Sequence, residues 1–145
     1  MIKKSTTIII ALVFILSLVG LNQIASAQTT LKGVTAWPQQ ITDNDGFFAL
    51  QEKVNNNGEG VIQIQYLGGP EVIPTDELIN AVKNGTVDIA WLSAGYTVSH
   101  VPGANAIKLS RYTPEEARNN GFYDLWYYMY HQQANAHMLG KGMPG

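Results

Sequence analysis

The feature that most limits what this chain can fold into is an alternation of strand-like and helix-like segments between residues 31 and 92. Residues 31–37 (LKGVTAW) have the composition of a strand. Asp43 or Asn44 then stands where a helix cap is needed, and Phe47, Leu50 and Val54 recur at i, i+3 and i+7 to give one apolar face. Asn55-Asn56-Asn57-Gly58 ends that helix. Across residues 61–66, Ile62, Ile64 and Tyr66 point one way while Gln63 and Gln65 point the other, the period of a strand. Leu67-Gly68-Gly69-Pro70 stops it. Thr75 is placed to cap the next helix, with Asp76 and Glu77 in a first turn where the helix dipole favours acids. Leu78, Ile79 and Val82 form its apolar stripe. Lys83 falls in the last turn and Gly85 just past it, as a left-handed terminal cap requires. Residues 86–92 (TVDIAWL) complete the series as a third strand. Strand, helix, strand, helix, strand implies a parallel sheet with right-handed crossovers. The expected fold class is therefore α/β on a parallel βαβαβ core.

After Ser93-Ala94-Gly95 the pattern loosens. Residues 106–109 read as a short strand. Thr113-Pro114-Glu115-Glu116 is a capping box with proline at the first helical position. The helix it starts breaks near Asn119-Asn120-Gly121, and a second runs over residues 122–133. Within it Phe122, Leu125, Trp126 and Met129 fall on one face as core, and Tyr123, Tyr127 and Tyr130 form an adjacent stripe expected to pack within the same fold, partial exposure being the alternative. Residues 136–139 read as the start of another strand.

The amino terminus carries an address. Lys3 and Lys4 precede an apolar run from Ile8 to Val19, and Ala25-Ser26-Ala27 supplies a small-x-small cleavage site. The apolar run is about 12 residues, short of the roughly 20 that span a bilayer. Residues 1–27 are thus expected to be a cleavable secretory signal peptide, residues 28–145 the mature chain, and the location periplasmic. The mature part holds seven basic and eleven acidic residues, a net charge of −4. That balance, without a basic patch, argues against nucleic acid as a partner. With no cysteine, an exported chain must be held by its core instead of disulfides.

Ligands of parallel α/β sheets sit beyond the carboxyl ends of the strands, near the reversal of strand order. Three such ends are readable here: Trp37-Pro38, Leu67-Gly68-Gly69-Pro70 and Ser93-Ala94-Gly95-Tyr96. Trp37 and Tyr96 offer flat apolar faces with polar tips. Gly68, Gly69 and Gly95 admit close backbone approach, and Ser93 adds a hydroxyl. Catalytic constellations are scarce. Ser93 lacks a nucleophile elbow around it. His131 and His137 are six apart, the wrong spacing for a helical metal pair, and His100 stands alone. No P-loop, dinucleotide fingerprint or metal cluster is present, so neither cofactor nor enzymatic activity is expected.

One run of residues carries a family resemblance: Leu67-Gly68-Gly69, then Glu77-Leu78-Ile79 with Ala81-Val82, Gly85-Thr86-Val87-Asp88-Ile89-Ala90, and Ser93-Ala94-Gly95. In an exported chain this resembles the solute receptors of TRAP (tripartite ATP-independent periplasmic) transporters. Weaker similarity extends from Leu31 to about Leu139. The resemblance implies a two-lobed receptor that closes on a small organic acid and hands it to the membrane permease subunits of an ion-gradient-driven transporter. It implies that this chain is the amino-terminal part, the first lobe, with the second lobe mostly missing. Carried over by position, Trp37, Gly69, Glu71, Ser93, Ala94, Gly95 and Tyr96 would line the cleft, facing a small-molecule carboxylate. Where many members have a Leu-Pro-Phe-like run, this chain has Leu109-Ser110-Arg111-Tyr112, so Arg111 does not match the family's carboxylate-pairing arginine by position. Two other functions fit the same sheet: a binding protein of an ATP-driven importer, and an exported α/β hydrolase built on Ser93.

Overall fold

A computed structural model of the chain describes residues 27–140. The expected signal peptide, Ala27 apart, and residues 141–145 lie outside the described residues.

Strands β1 (Thr29–Thr35), β2 (Ile62–Gly68) and β3 (Ile89–Trp91) form one sheet in the order β2-β1-β3. Both pairings are parallel. Helix α1 (Asp45–Asn57) joins β1 to β2, and α2 (Leu78–Lys83) joins β2 to β3. The first crossover steps from the centre of the sheet to one edge. The second returns past the centre to the other edge. Two right-handed crossovers of opposite direction put their helices on opposite faces, and the side chains of β1 divide accordingly. Gly33 faces the ring of Phe47 on α1, whereas Val34 packs with Leu78 and Ala81 of α2. Phe47 is fully buried and meets Phe48 and Tyr66 with ring centroids 5.5 and 5.6 Å apart. The chain is thus α/β, with a three-stranded parallel sheet covered on both sides.

Strand β3 is shorter than the segment 86–92 read from the sequence. At its start a carboxylate replaces the ladder acceptor: Lys32 N donates to Asp88 Oδ2 at 2.7 Å, and Asp88 N donates to Lys32 O at 2.9 Å. Gly85 takes the left-handed conformation expected of it, with φ of 70°.

Three short helices follow: α3 (Ala106–Leu109), α4 (Pro114–Asn119) and α5 (Phe122–Ala134). The segment 106–109 is a helical turn and not the expected strand. Its main chain bonds locally, Lys108 N to Asn105 O and Ser110 N to Ala106 O, and Ala, Lys and Leu all favour helix. The capping box of α4 forms as read, with Thr113 Oγ1 accepting from Glu116 N and Glu116 Oε2 accepting from Thr113 N. Residues 136–139 form no strand. Asn135 turns the chain back with φ of 46°, and Ala136 N donates to Tyr130 O. The buried face of α5 is Trp126, Tyr130 and Ala134, and Leu125 is 57% exposed. Leu125, expected in the core, therefore lies outside it, while Tyr130 of the adjacent stripe packs within the fold. This core needs a hydroxyl at Tyr130, which meets buried Thr97 Oγ1 at 2.6 Å. That face completes a second core with Ile79, Ala94, Val101 and Ala104, extending the layer that α2 begins.

Candidate functional site

Strand order reverses between β1 and β3, so the crevice characteristic of such sheets opens at their carboxyl ends. There the chain leaves β1 as Ala36-Trp37-Pro38 and β3 as Leu92-Ser93-Ala94, and β2 delivers Gly68-Gly69 beside them.

The end of β1 is tied down on every side. Ala36 N donates to Trp91 O at 2.8 Å, and Thr75 Oγ1 donates to Ala36 O at 3.0 Å. Thr35 Oγ1 donates to Trp37 O at 2.9 Å. Asn44 Nδ2 reaches Pro38 O at 2.8 Å and Trp37 O at 3.3 Å. Asn44 is one of the two residues expected to cap α1 and Thr75 the one expected to cap α2, and neither side chain caps its own helix. Main-chain carbonyls that leave the ladder inside a protein need donors, and these two side chains supply them.

Trp37 and Tyr96 meet edge to face, centroids 6.1 Å apart. Trp37 is half-buried and Tyr96 is 44% exposed, so the pair forms a partly open aromatic wall. Gly69 lies against Trp37 from the other side. A Cβ at position 69 would stand 2.5 Å from Trp37 O, so only glycine permits this approach. Glu71 bends back over its own loop, with Oε1 accepting from Gly69 N at 2.6 Å. The main-chain donors of Gly69 and of Glu71 itself hold that carboxyl below its ordinary range. The N–H of Gly69 is therefore already occupied by the chain's own anion. Ser93 is half-buried and caps the 3-10 turn Ala94–Thr97, its Oγ accepting from Gly95 N at 3.3 Å. Ala94 is buried in the second core, beneath the crevice. The structure thus links Trp37, Gly69, Glu71 and Tyr96 through direct neighbours, with Ser93 and Gly95 on the Tyr96 loop.

Lys108 and Asn105 join this group without having been legible in the sequence. A Cβ placed on Gly95 would lie 3.2 Å from Lys108 Nζ and 3.5 Å from Asn105 Oδ1. The turn of α3 carries them there, where a strand over 106–109 would not. His131 and His137 also come together, with ring centroids 5.0 Å apart, and His137 Nδ1 is hydrogen-bonded to Tyr127 OH. Six residues of separation close up because the chain doubles back at Asn135.

No protein-family model matches the chain. Among the described residues, no group of three or more His, Cys, Asp or Glu side chains is arranged to hold a metal ion. No described helix is long and apolar enough to cross a membrane. A hollow beside α4, lined by Tyr112, Ala117, Arg118, Phe122 and their neighbours, shares no residue with the strand-end crevice. The Ser93 hydroxyl is not hydrogen-bonded to a histidine among the described residues; His100 Nδ1 pairs with Ser99 Oγ instead.

Proposed function

We propose that this region is the first lobe of an exported, two-lobed solute receptor of the TRAP type, capturing a small organic acid for an ion-gradient-driven permease. The observation that carries the reading is the convergence of Trp37, Gly69 and Tyr96 at the reversal of strand order. An aromatic wall at that place is suited to the apolar body of a small ligand, which buries most of its surface in a largely preformed cleft. Closure of a second lobe over this wall would complete the enclosure. The segment 67–95, on which the family resemblance rests, provides the β2 and β3 sides of the crevice. The bonds that immobilise residues 36–38 support the reading further, since a receptor gains affinity from a wall that does not reorganise.

The test is a titration of the full chain with succinate, 2-oxoglutarate and gluconate against glucose and glycerol, followed by tryptophan fluorescence and calorimetry. At least one acid is expected to bind, and W37A and Y96A to weaken it. Binding of the neutral compounds alone, or acid binding indifferent to both substitutions, overturns the reading.

A further inference from the structure

We infer that this lobe carries its own carboxylate-binding cation, Lys108, acting with the Ser93 hydroxyl over the bare backbone of Gly95. The inference rests on the receptor reading and names the group that would meet the acid on this side of the cleft.

Gly95, just past the carboxyl end of β3, presents bare backbone to its neighbours. Three polar atoms border it: measured from the point where a Cβ would sit, Lys108 Nζ is at 3.2 Å, Asn105 Oδ1 at 3.5 Å and Ser93 Oγ at 3.7 Å. The Lys108 ammonium makes no hydrogen bond or ion pair among the described residues. Ser93 Oγ accepts from Gly95 N at 3.3 Å. A hydroxyl that accepts one bond still has its proton to give. An ammonium and a hydroxyl donor side by side are a fitting pair for the two oxygens of a carboxylate, and charge-assisted bonds of this kind are the stronger ones. The glycine matters as much as the cation, since a Cβ at position 95 would stand 3.2 Å from the Lys108 ammonium and a larger side chain would displace it. Tyr96 is the next residue along the chain and stands edge to face with Trp37. A ligand anchored by its carboxylate over Gly95 would lay its carbon skeleton toward that wall. The Gly69 loop does not offer an alternative anion seat, because the carboxylate of Glu71 already takes its N–H.

The ligand class is therefore a small carboxylate with a compact apolar or planar body. Acetate and benzoate are suitable probes, with acetamide and benzamide as their uncharged partners. Amide chemical shifts of the full chain, followed by heteronuclear NMR during titration, report where each probe sits. Benzoate is expected to move the Ser93, Gly95 and Tyr96 resonances, more strongly than acetate, while benzamide leaves them in place. K108Q is expected to weaken benzoate about five-fold to ten-fold, a size suited to one partly exposed charge-assisted bond. K108R is expected to bind within about three-fold of the parent chain, since it keeps a charge at the same place, and G95V to abolish the response. If benzoate moves these resonances equally in the parent chain and in K108Q, Lys108 is not the anchor, and the receptor reading survives with another cation. If no carboxylate probe moves any resonance of the Trp37, Gly69 or Tyr96 loops, both readings fall.

Discussion

Asn44 offers a sharp test of how the crevice is held. Its side chain is fully buried, spans two carbonyls of the β1 exit and leaves its own Oδ1 without a partner. Alanine at this position removes both bonds, at about 1 kcal/mol each. The carbonyls are not orphaned, however: Trp37 O keeps Thr35 Oγ1, and Pro38 O keeps Ile41 N. The unsatisfied Oδ1 also disappears, which offsets part of the loss. N44A should therefore cost about 1–2 kcal/mol. N44D has nearly the shape of the parent side chain but the opposite chemistry. An ionised carboxylate would face two carbonyl oxygens in a buried place, and it escapes by keeping a proton. Holding a carboxyl protonated at pH 7 means lifting it from about 3.9 past neutrality, which costs about 4 kcal/mol at about 1.36 kcal/mol per unit. The native state then binds the extra proton, so the deficit of N44D is largest at neutral pH and shrinks as pH falls toward the ordinary carboxylate value. Urea unfolding followed by circular dichroism, at pH 7 and near pH 4.5, measures each variant against the parent chain at the same pH. N44D should be less stable than N44A by about 2–3 kcal/mol at pH 7 and should converge on it in acid. Equal stability of the two at pH 7, or a gap that does not change with pH, would refute the assignment of Asn44 as a buried double donor.

Gly69→Ala should push the Gly69 loop off Trp37, because its methyl would stand 2.5 Å from Trp37 O; a loss of about 1–3 kcal/mol and a shift in tryptophan emission are expected in the same unfolding experiment. Thr113→Ala should cost about 1 kcal/mol by undoing the capping box. Glu116 is held below its ordinary range by the main-chain and side-chain donors of Thr113, so its stabilising effect is complete above the ordinary carboxylate value and fades as pH falls through the lowered one. E116Q should accordingly flatten the acid limb of an ellipticity titration. Thr97 Oγ1 already donates to Ala94 O at 2.9 Å, so Tyr130 must be the donor in the bond between them. Tyr130→Phe should cost about 1 kcal/mol. Burial raises the Tyr130 phenol, so its contribution holds up to the ordinary phenol value and is lost as pH rises through the raised one. Y130F should remove that alkaline loss in the melting temperature measured across pH 9 to 11.5.

What was legible in the sequence was local. The apolar periods of residues 47–54 and 78–82, the box at Thr113 and the turn at Gly85 depend on neighbours a few positions away, and they stand where such rules put them. The strand ends that bring Trp37, Gly69 and Tyr96 together followed from alternation and crossover handedness alone. What was not legible turns on distant partners. Asn44 and Thr75 carry helix-cap chemistry, yet they serve carbonyls of β1 that no short window contains. The side of α5 that is buried depends on what it packs against, so a count of apolar residues favoured Leu125 over Tyr130. Lys108 reaches Gly95 only because four residues coil into a turn, and helix and strand patterns are indistinguishable over so short a run. The histidine pair needed the left-handed turn at Asn135, a conformation that asparagine permits but does not announce.

The three loops of the crevice are held unequally, and the difference bears on how it could bind. Residues 36–38 are fixed by four side-chain bonds and two main-chain bonds. The Gly69 loop is closed by its own Glu71. The β3 loop is closed locally by the Ser93 cap, by Tyr96 N on Ser93 O and by Thr97 Oγ1 on Ala94 O, with the Tyr130 hydroxyl as its one distant side-chain bond, and the Lys108 ammonium beside it has no partner among the described residues. Ordering a lysine side chain costs up to about 2 kcal/mol, against about 1.5–3 kcal/mol for a hydrogen bond to a charged group. The net from the ammonium is therefore about 1 kcal/mol, enough to select an acid over its amide and too little to retain it. Retention has to come from apolar area removed from water at about 25 cal/mol per Å², and the Trp37–Tyr96 wall covers a ligand from one side only. On the proposed receptor reading, a site with this division of labour would discriminate by charge on this side and would acquire its affinity when a second surface closed on the other face of the ligand.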